Sequence, residues 1–235
     1  MRIYSRSEIE KITEINYAHE LTVQEVLGHR FVTIDNFLKN PKDFTEFLDT
    51  FPAYSNDDYR IDGCPGWKQE IPRVFMRAIT EYLSSTFDIG ANTLDISWST
   101  NIYSGRMPSR ESNYLPHVDH CPLVFNLWMN EECSGGTDFW AMGGALTRDE
   151  SDSELRQYYQ YLRTLPVMED WKVFDGDENF QKVFTAEMKY NRLVIYDGNM
   201  WHSPHIDSNS YIDSFRYSLI GFTEDNYEQW KFKRS

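Results

Sequence analysis

The chain is expected to be mainly β with flanking helices, an α+β arrangement whose strands close into a barrel or jelly roll braced by those helices. Three observations predict it. From about Leu94 onward the hydrophobic period is that of strands, in short runs separated by turn residues. Helix-period stretches occur only in the first third and at the start of one insertion. Tyr, Phe and Trp make up 16% of the chain, enough large side chains for a sizeable core.

Taken in order, the first twenty-odd residues are polar and read as a short helix or an arm. "HRFVTIDNFLKNP" follows, with a β-rich centre at Phe31–Ile34 and a turn at Asn40-Pro41. "KDFTEFLDTF" sets Phe44, Phe47, Leu48 and Phe51 at helical spacing. "DGCPGW" is loop chemistry, with Pro65-Gly66 making a turn. "KQEIPRVFMRAITEYLSSTF" is the clearest amphipathic helix, its stripe formed by Val74, Phe75, Ala78, Ile79 and Leu83. Five β-prone runs come next: "LDISWSTNIYSG", "PLVFNLWMN", "TDFWAMGG", "NRLVIYDG" and "RYSLIGF". Between the third and fourth, "RDESDSELRQYYQYLRTL" reads as a helix capped by Asp149 or Ser151.

No repeat, low-complexity tract or linker divides the sequence, so residues 1–235 are expected to form a single domain. Residues 1–90 would be a largely helical support and 94–223 the β core, interrupted by a partly helical insertion at about 141–189. The net charge of −14 and the absence of a Lys/Arg cluster argue against nucleic-acid and anionic-membrane partners, which need a basic footprint. Cys64, Cys121 and Cys133 are odd in number and lack C-x-x-C spacing, which points away from a disulfide framework or a zinc ribbon. The N-terminus has no apolar leader segment, and no run is long enough to span a bilayer. A cytoplasmic protein is the expectation.

The chemistry is concentrated in "NYLPHVDHCPLVFNLWMN". On extended chain His117 and Asp119 project to one face, so an imidazole and a carboxylate can reach one point. A third ligand must come from elsewhere, and His202 in "YDGNMWHSP" is the natural supplier. Two His and one carboxylate make a facial triad that leaves metal positions open and suits non-haem Fe(II), although zinc accepts the same ligands. Beyond His202, Arg216 heads a β run with Ser218 on the same face. A guanidinium fork beside a hydroxyl is a good receptor for a carboxylate held away from the metal.

In the order His117-x-Asp119, Gly135-Gly136-Thr137-Asp138-Phe139, His202 and Arg216-x-Ser218, the sequence resembles the iron(II)/2-oxoglutarate-dependent dioxygenases, in particular their prolyl-4-hydroxylase-like branch. Tyr103, "LWMN", "GGTDFW" and "NRLVIYDGNMWHS" also match that branch in order, from roughly Leu94 to Phe222. The resemblance implies a double-stranded β-helix, a distorted jelly roll of cupin type. It implies Fe(II) on His117, Asp119 and His202 as the catalytic centre, with 2-oxoglutarate and O2 as co-substrates. Arg216 and Ser218, with Tyr103, would hold the far carboxylate of 2-oxoglutarate. The outcome would be hydroxylation of a C–H bond of a small-molecule, amino-acid or peptidyl substrate, with succinate and CO2 released. Halogenating relatives carry a small residue at the carboxylate position, so Asp119 favours hydroxylation.

Each assignment has a plainer counterpart. His120 points opposite to Asp119 and reads as a solvent-facing or supporting residue, and His205 competes with His202 because Pro204 obscures the local direction. Arg216 could simply pair with an acid such as Asp213, and Tyr103 could be a core tyrosine. Asn126 and Trp128 share a strand face and could line the substrate pocket, with Asp138 as a polar wall. The insertion, with Tyr158, Tyr159 and Tyr161, is either a lid or a helix packed outside. Two rival functions stay open: a cupin-like metal enzyme that does not use 2-oxoglutarate, and an inactive β-helix binding module.

Overall fold

The structure, a computed structural model, describes residues 4–50, 53–55, 67–69, 73–88, 96–103, 116–119, 121, 123–148, 153, 157, 160, 175–205, 216–223 and 231–232. Of residues 53–55, 67–69, 88, 96–103, 223 and 231–232 it describes the backbone alone. Residues 62–66 of the loop "DGCPGW", with Phe51, His120, Asp149, Ser151, Asp213 and the three insertion tyrosines, lie outside the described residues.

Among the described residues, three helices precede the β core: α1 (Arg6–Ile12), α2 (Pro41–Leu48) and α3 (Arg73–Thr86). Ser5 caps α1 in a reciprocal capping box with Glu8, and this converts a polar opening segment into a helix. Pro41 starts α2, and the helical spacing of Phe44, Phe47 and Leu48 buries all three. α3 buries Phe75, Ile79, Tyr82 and Leu83 along one stripe. Ser153, Gln157 and Gln160, at the start of the insertion, are helical and exposed. Among the described residues no helix is long and apolar enough to cross a membrane.

The strands are β1 (Glu20–Val26), β2 (His29–Asp35), β3 (Ala53–Ser55), β4 (Trp67–Gln69), β5 (Phe87–Asp88), β6 (Ile96–Tyr103), β7 (Val124–Trp128), β8 (Gly136–Met142), β9 (Phe180–Glu187), β10 (Arg192–Tyr196), β11 (His202–His205), β12 (Arg216–Thr223) and β13 (Lys231–Phe232). Eight form an antiparallel sheet in the order β1-β2-β10-β7-β12-β6-β4-β3. Three form a smaller antiparallel sheet, β11-β8-β9, and β13 pairs with β5. A single-residue pairing of His117 with His202 carries the small sheet one position further. From β6 the chain visits the large sheet, then the small one at His117, and the large one at β7. It then enters the small sheet at β8 and β9, the large at β10, the small at β11 and the large at β12. This alternation is a double-stranded β-helix, the distorted jelly roll that the sequence led us to expect.

Both faces of the middle of the large sheet, at β7 and β10, are covered. Phe125, Leu127, Leu193, Ile195 and Leu219 pack toward the helices with Phe44, Phe75 and Leu83. Val124, Trp128, Val194 and Tyr196 face the other way, joining Phe31 and, from the small sheet, Phe139 and Ala186. Burial on both faces explains why "VFNLW", Asn126 apart, is apolar throughout rather than alternating.

Two expectations need amendment. The first third was expected to be largely helical, yet β1 and β2 also lie there, as a hairpin that extends the large sheet. The Leu27-Gly28 turn joining them has positive φ at both positions, 49° and 83°, the geometry of a tight two-residue hairpin turn. The insertion also contributes β9, the third strand of the small sheet. Its register slips between Phe139 and Trp140, so a bulge breaks the strict alternation that marks a strand in sequence.

Candidate metal centre

His117 and His202 meet because their backbones bond reciprocally, His117 N–H to the His202 carbonyl at 2.8 Å and His202 N–H to the His117 carbonyl at 2.9 Å. Asp119 is held by its own N–H on the Gly198 carbonyl, also at 2.8 Å. The close crossing requires glycine at 198, because a Cβ there would lie 2.3 Å from the Cys121 carbonyl oxygen. Three side chains distant in the sequence thereby reach one point. Their ligand atoms all lie within 4.8 Å of one another and could hold a metal ion.

Asp119 Oδ2 is 3.0 Å from His202 Nε2, and Oδ1 is 3.7 Å from His117 Nε2. His202 Nδ1 is 2.8 Å from the Met200 carbonyl oxygen, which can only accept, so Nδ1 carries the proton and Nε2 is left for a metal. Burial pushes the His202 imidazole down, but the charge and hydrogen bond of Asp119, with the Met200 carbonyl, outweigh it and raise the pKa. Beneath His202 lies an aromatic floor. Tyr196 meets the imidazole edge-on with centroids 5.0 Å apart, and Phe139 stacks on Phe184 at 4.5 Å. Access is on the other side, where the His117 side chain keeps 35% of its surface exposed, against 6% for His202.

Arg216 and Ser218 point into the same interior as Ile220 and Phe222 of β12. Arg216 is buried and donates from Nη2 to the Gly136 carbonyl at 3.1 Å. Ser218 sends its hydroxyl proton to the amide oxygen of Asn126, which is also buried. Trp128, opposite Ser218 in the β7–β12 ladder, is fully buried, and its indole N–H has no partner among the described residues. An orphaned donor on the same sheet face as a buried guanidinium suits a carboxylate ligand better than a closed apolar core. Tyr103 sits opposite Arg216 in the β6–β12 ladder, and its side chain lies outside the described residues.

Asp138 departs from expectation. The register sets Phe139 opposite His202, so its neighbour Asp138 turns to the opposite face of the small sheet, away from any pocket beside the triad. There it is fully buried, and it accepts hydrogen bonds from Thr185 and from His205 Nδ1 at 2.8 Å, with Lys182 Nζ at 3.2 Å. Burial raises the carboxyl pKa, but the His205 and Thr185 hydrogen bonds and the nearby positive charge bring it below the ordinary value. His205 is thereby turned away from the point where the three ligand atoms meet. Sequence reasoning missed the Asp138 partners Lys182 and Thr185, since β9 itself was not recognised. The three-residue interval from His202 to His205, which on a strand sends the two imidazoles to opposite faces, was the available signal.

Residues 17–215 match the model of a family described as a family of unknown function, DUF6445. No curated protein matches the chain. Among solved structures it is similar to HygX from Streptomyces hygroscopicus with nickel and 2-oxoglutarate bound, at 11% identity and a TM-score of 0.47, over 94% of this chain and 87% of that one. The same protein with iron bound gives 10% identity and a TM-score of 0.44 over the same shares. A prolyl 4-hydroxylase structure from Phytophthora capsici gives 13% identity and a TM-score of 0.38, over 82% of this chain and 57% of that one.

Proposed function

We propose a chemistry for this chain, which belongs to the family of unknown function DUF6445: a non-haem Fe(II)- and 2-oxoglutarate-dependent dioxygenase that hydroxylates a C–H bond. The substrate would be a small molecule, an amino acid or a peptidyl side chain. One observation carries the reading, the meeting of His117, Asp119 and His202 within 4.8 Å, in a barrel whose interior also holds a buried arginine. Two nitrogens and one carboxylate leave open the coordination positions that a chelating co-substrate and O2 need. When bound, ferrous iron with 2-oxoglutarate would supply the electrons that activate O2 toward a C–H bond, with succinate and CO2 as by-products.

The protein's own groups bind, orient and shield. The Met200 carbonyl fixes the His202 tautomer. Asp119 brings the negative charge that offsets the cation. Arg216 supplies the fork for the distal carboxylate, and the Trp128 indole N–H adds a second donor. The aromatic floor of Tyr196, Phe139, Phe184 and Phe31 keeps water from the inner side of the metal. The retained carboxylate at Asp119 favours hydroxylation over halide transfer.

The test is an anaerobic titration. Fe(II) with 2-oxoglutarate should give a visible metal-to-ligand charge-transfer band, and Arg216→Ala should raise the 2-oxoglutarate concentration needed for it about tenfold or more. Fe(II) binding without a band at any 2-oxoglutarate concentration contradicts the proposal.

A further inference from the structure

We infer that Asp138 and His205 form a clamp on the far face of the small sheet that positions His202, and through it His117, for metal binding. The inference rests on the metal-centre reading above and adds two positioning residues to it. β11 is only four residues long, and Pro204 within it has no N–H to give to the ladder. A strand so weakly laddered needs other anchors, and two side-chain hydrogen bonds among the described residues serve. Trp140 Nε1 donates to Ser203 Oγ at 2.9 Å, and His205 Nδ1 donates to Asp138 Oδ2 at 2.8 Å.

Asp138 is itself fixed from β9 through Thr185 and Lys182, so its carboxylate ties β11, β8 and β9 together at full burial. Three residues along the same strand, His202 exchanges both of its backbone hydrogen bonds with His117. Displacement of β11 therefore moves two of the three ligands at once. A strand shift of about half an ångström is enough to matter, because ligand geometry is demanding and outer contacts of metal sites typically change affinity about 10- to 100-fold.

The experiment uses cobalt(II) as an oxygen-stable probe on the full chain, with affinity, visible ligand-field spectrum and metal-free melting midpoint recorded for each variant. His205→Leu removes the donor from a part-exposed side chain. Cobalt binding should weaken about tenfold and the spectrum of the bound ion should change. His205→Asn carries an amide N–H close to where Nδ1–H sat and should restore both. Asp138→Asn, which keeps shape but loses the charge, should fall between. Wild-type affinity and spectrum in both His205→Leu and Asp138→Asn overturn the clamp. So does a lowered metal-free midpoint with an unchanged spectrum, or a loss in His205→Asn equal to that in His205→Leu. Failure of the wild type to bind cobalt at all overturns the metal-centre reading itself, and the clamp with it.

Discussion

His117-x-Asp119 was legible in the sequence because two positions on extended chain share a face whatever the rest of the fold does. The partner imidazole was less so. His202 and His205 flank a proline, and only the β11–β8 register separates the one facing Tyr196 from the one held by Asp138. Asn191, which opens the "NRLVIYDG" motif, shows a different kind of hidden role. It takes φ of 57°, and its side-chain oxygen accepts from Leu38 N–H at 2.8 Å while its amide donates to the Leu38 carbonyl at 2.9 Å. The residue is buried and joins the segment before α2 to the start of β10. Asn191→Ala leaves both Leu38 backbone groups without that partner. Chemical denaturation should show a loss of about 2–4 kcal/mol, and an unchanged midpoint and slope would refute the role.

At the scale of elements, the strands of the large sheet's middle were readable because they are long apolar runs. β1 was not, because as an edge strand it exposes most of its side chains, and Leu27 stands where a hairpin turn more often has Asn. β9 was hidden by its bulge and by the polar Gln181 and Lys182. Attachment of the hairpin depends on Asp35 of β2, whose carboxylate receives the fork of Arg192 on β10, with Nη2 at 2.9 Å, and Lys189 Nζ at 2.7 Å. The Arg192 hydrogen bond lowers the Asp35 pKa below its ordinary 3.8 by more than burial raises it, and Lys189 adds to the lowering. A depressed carboxyl contributes stability that is complete above the ordinary value and disappears as pH falls through the folded-state value. Asp35→Asn should cost about 1 kcal/mol near neutral pH, since solvent partly screens these ion pairs. Stability curves of the two proteins should converge in acid. A gap independent of pH would contradict this.

At the scale of the molecule, the same closure that buries two aromatic-rich layers also brings the ligands together, since His117 and His202 are joined by backbone bonds of the small sheet. The β-helix was anticipated from motif order, whereas the distribution of strands between sheets came only with the pairing. The candidate metal site is therefore a product of tertiary register rather than of any local segment, and if His117, Asp119 and His202 act on one ion they should fail as a unit. The most direct measurement is equilibrium dialysis of Fe(II), under anaerobic conditions, against the wild type and His117→Ala, Asp119→Ala and His202→Ala. The account predicts one ion per wild-type chain and affinity reduced by orders of magnitude in each variant. Undiminished binding in any one of the three would contradict it.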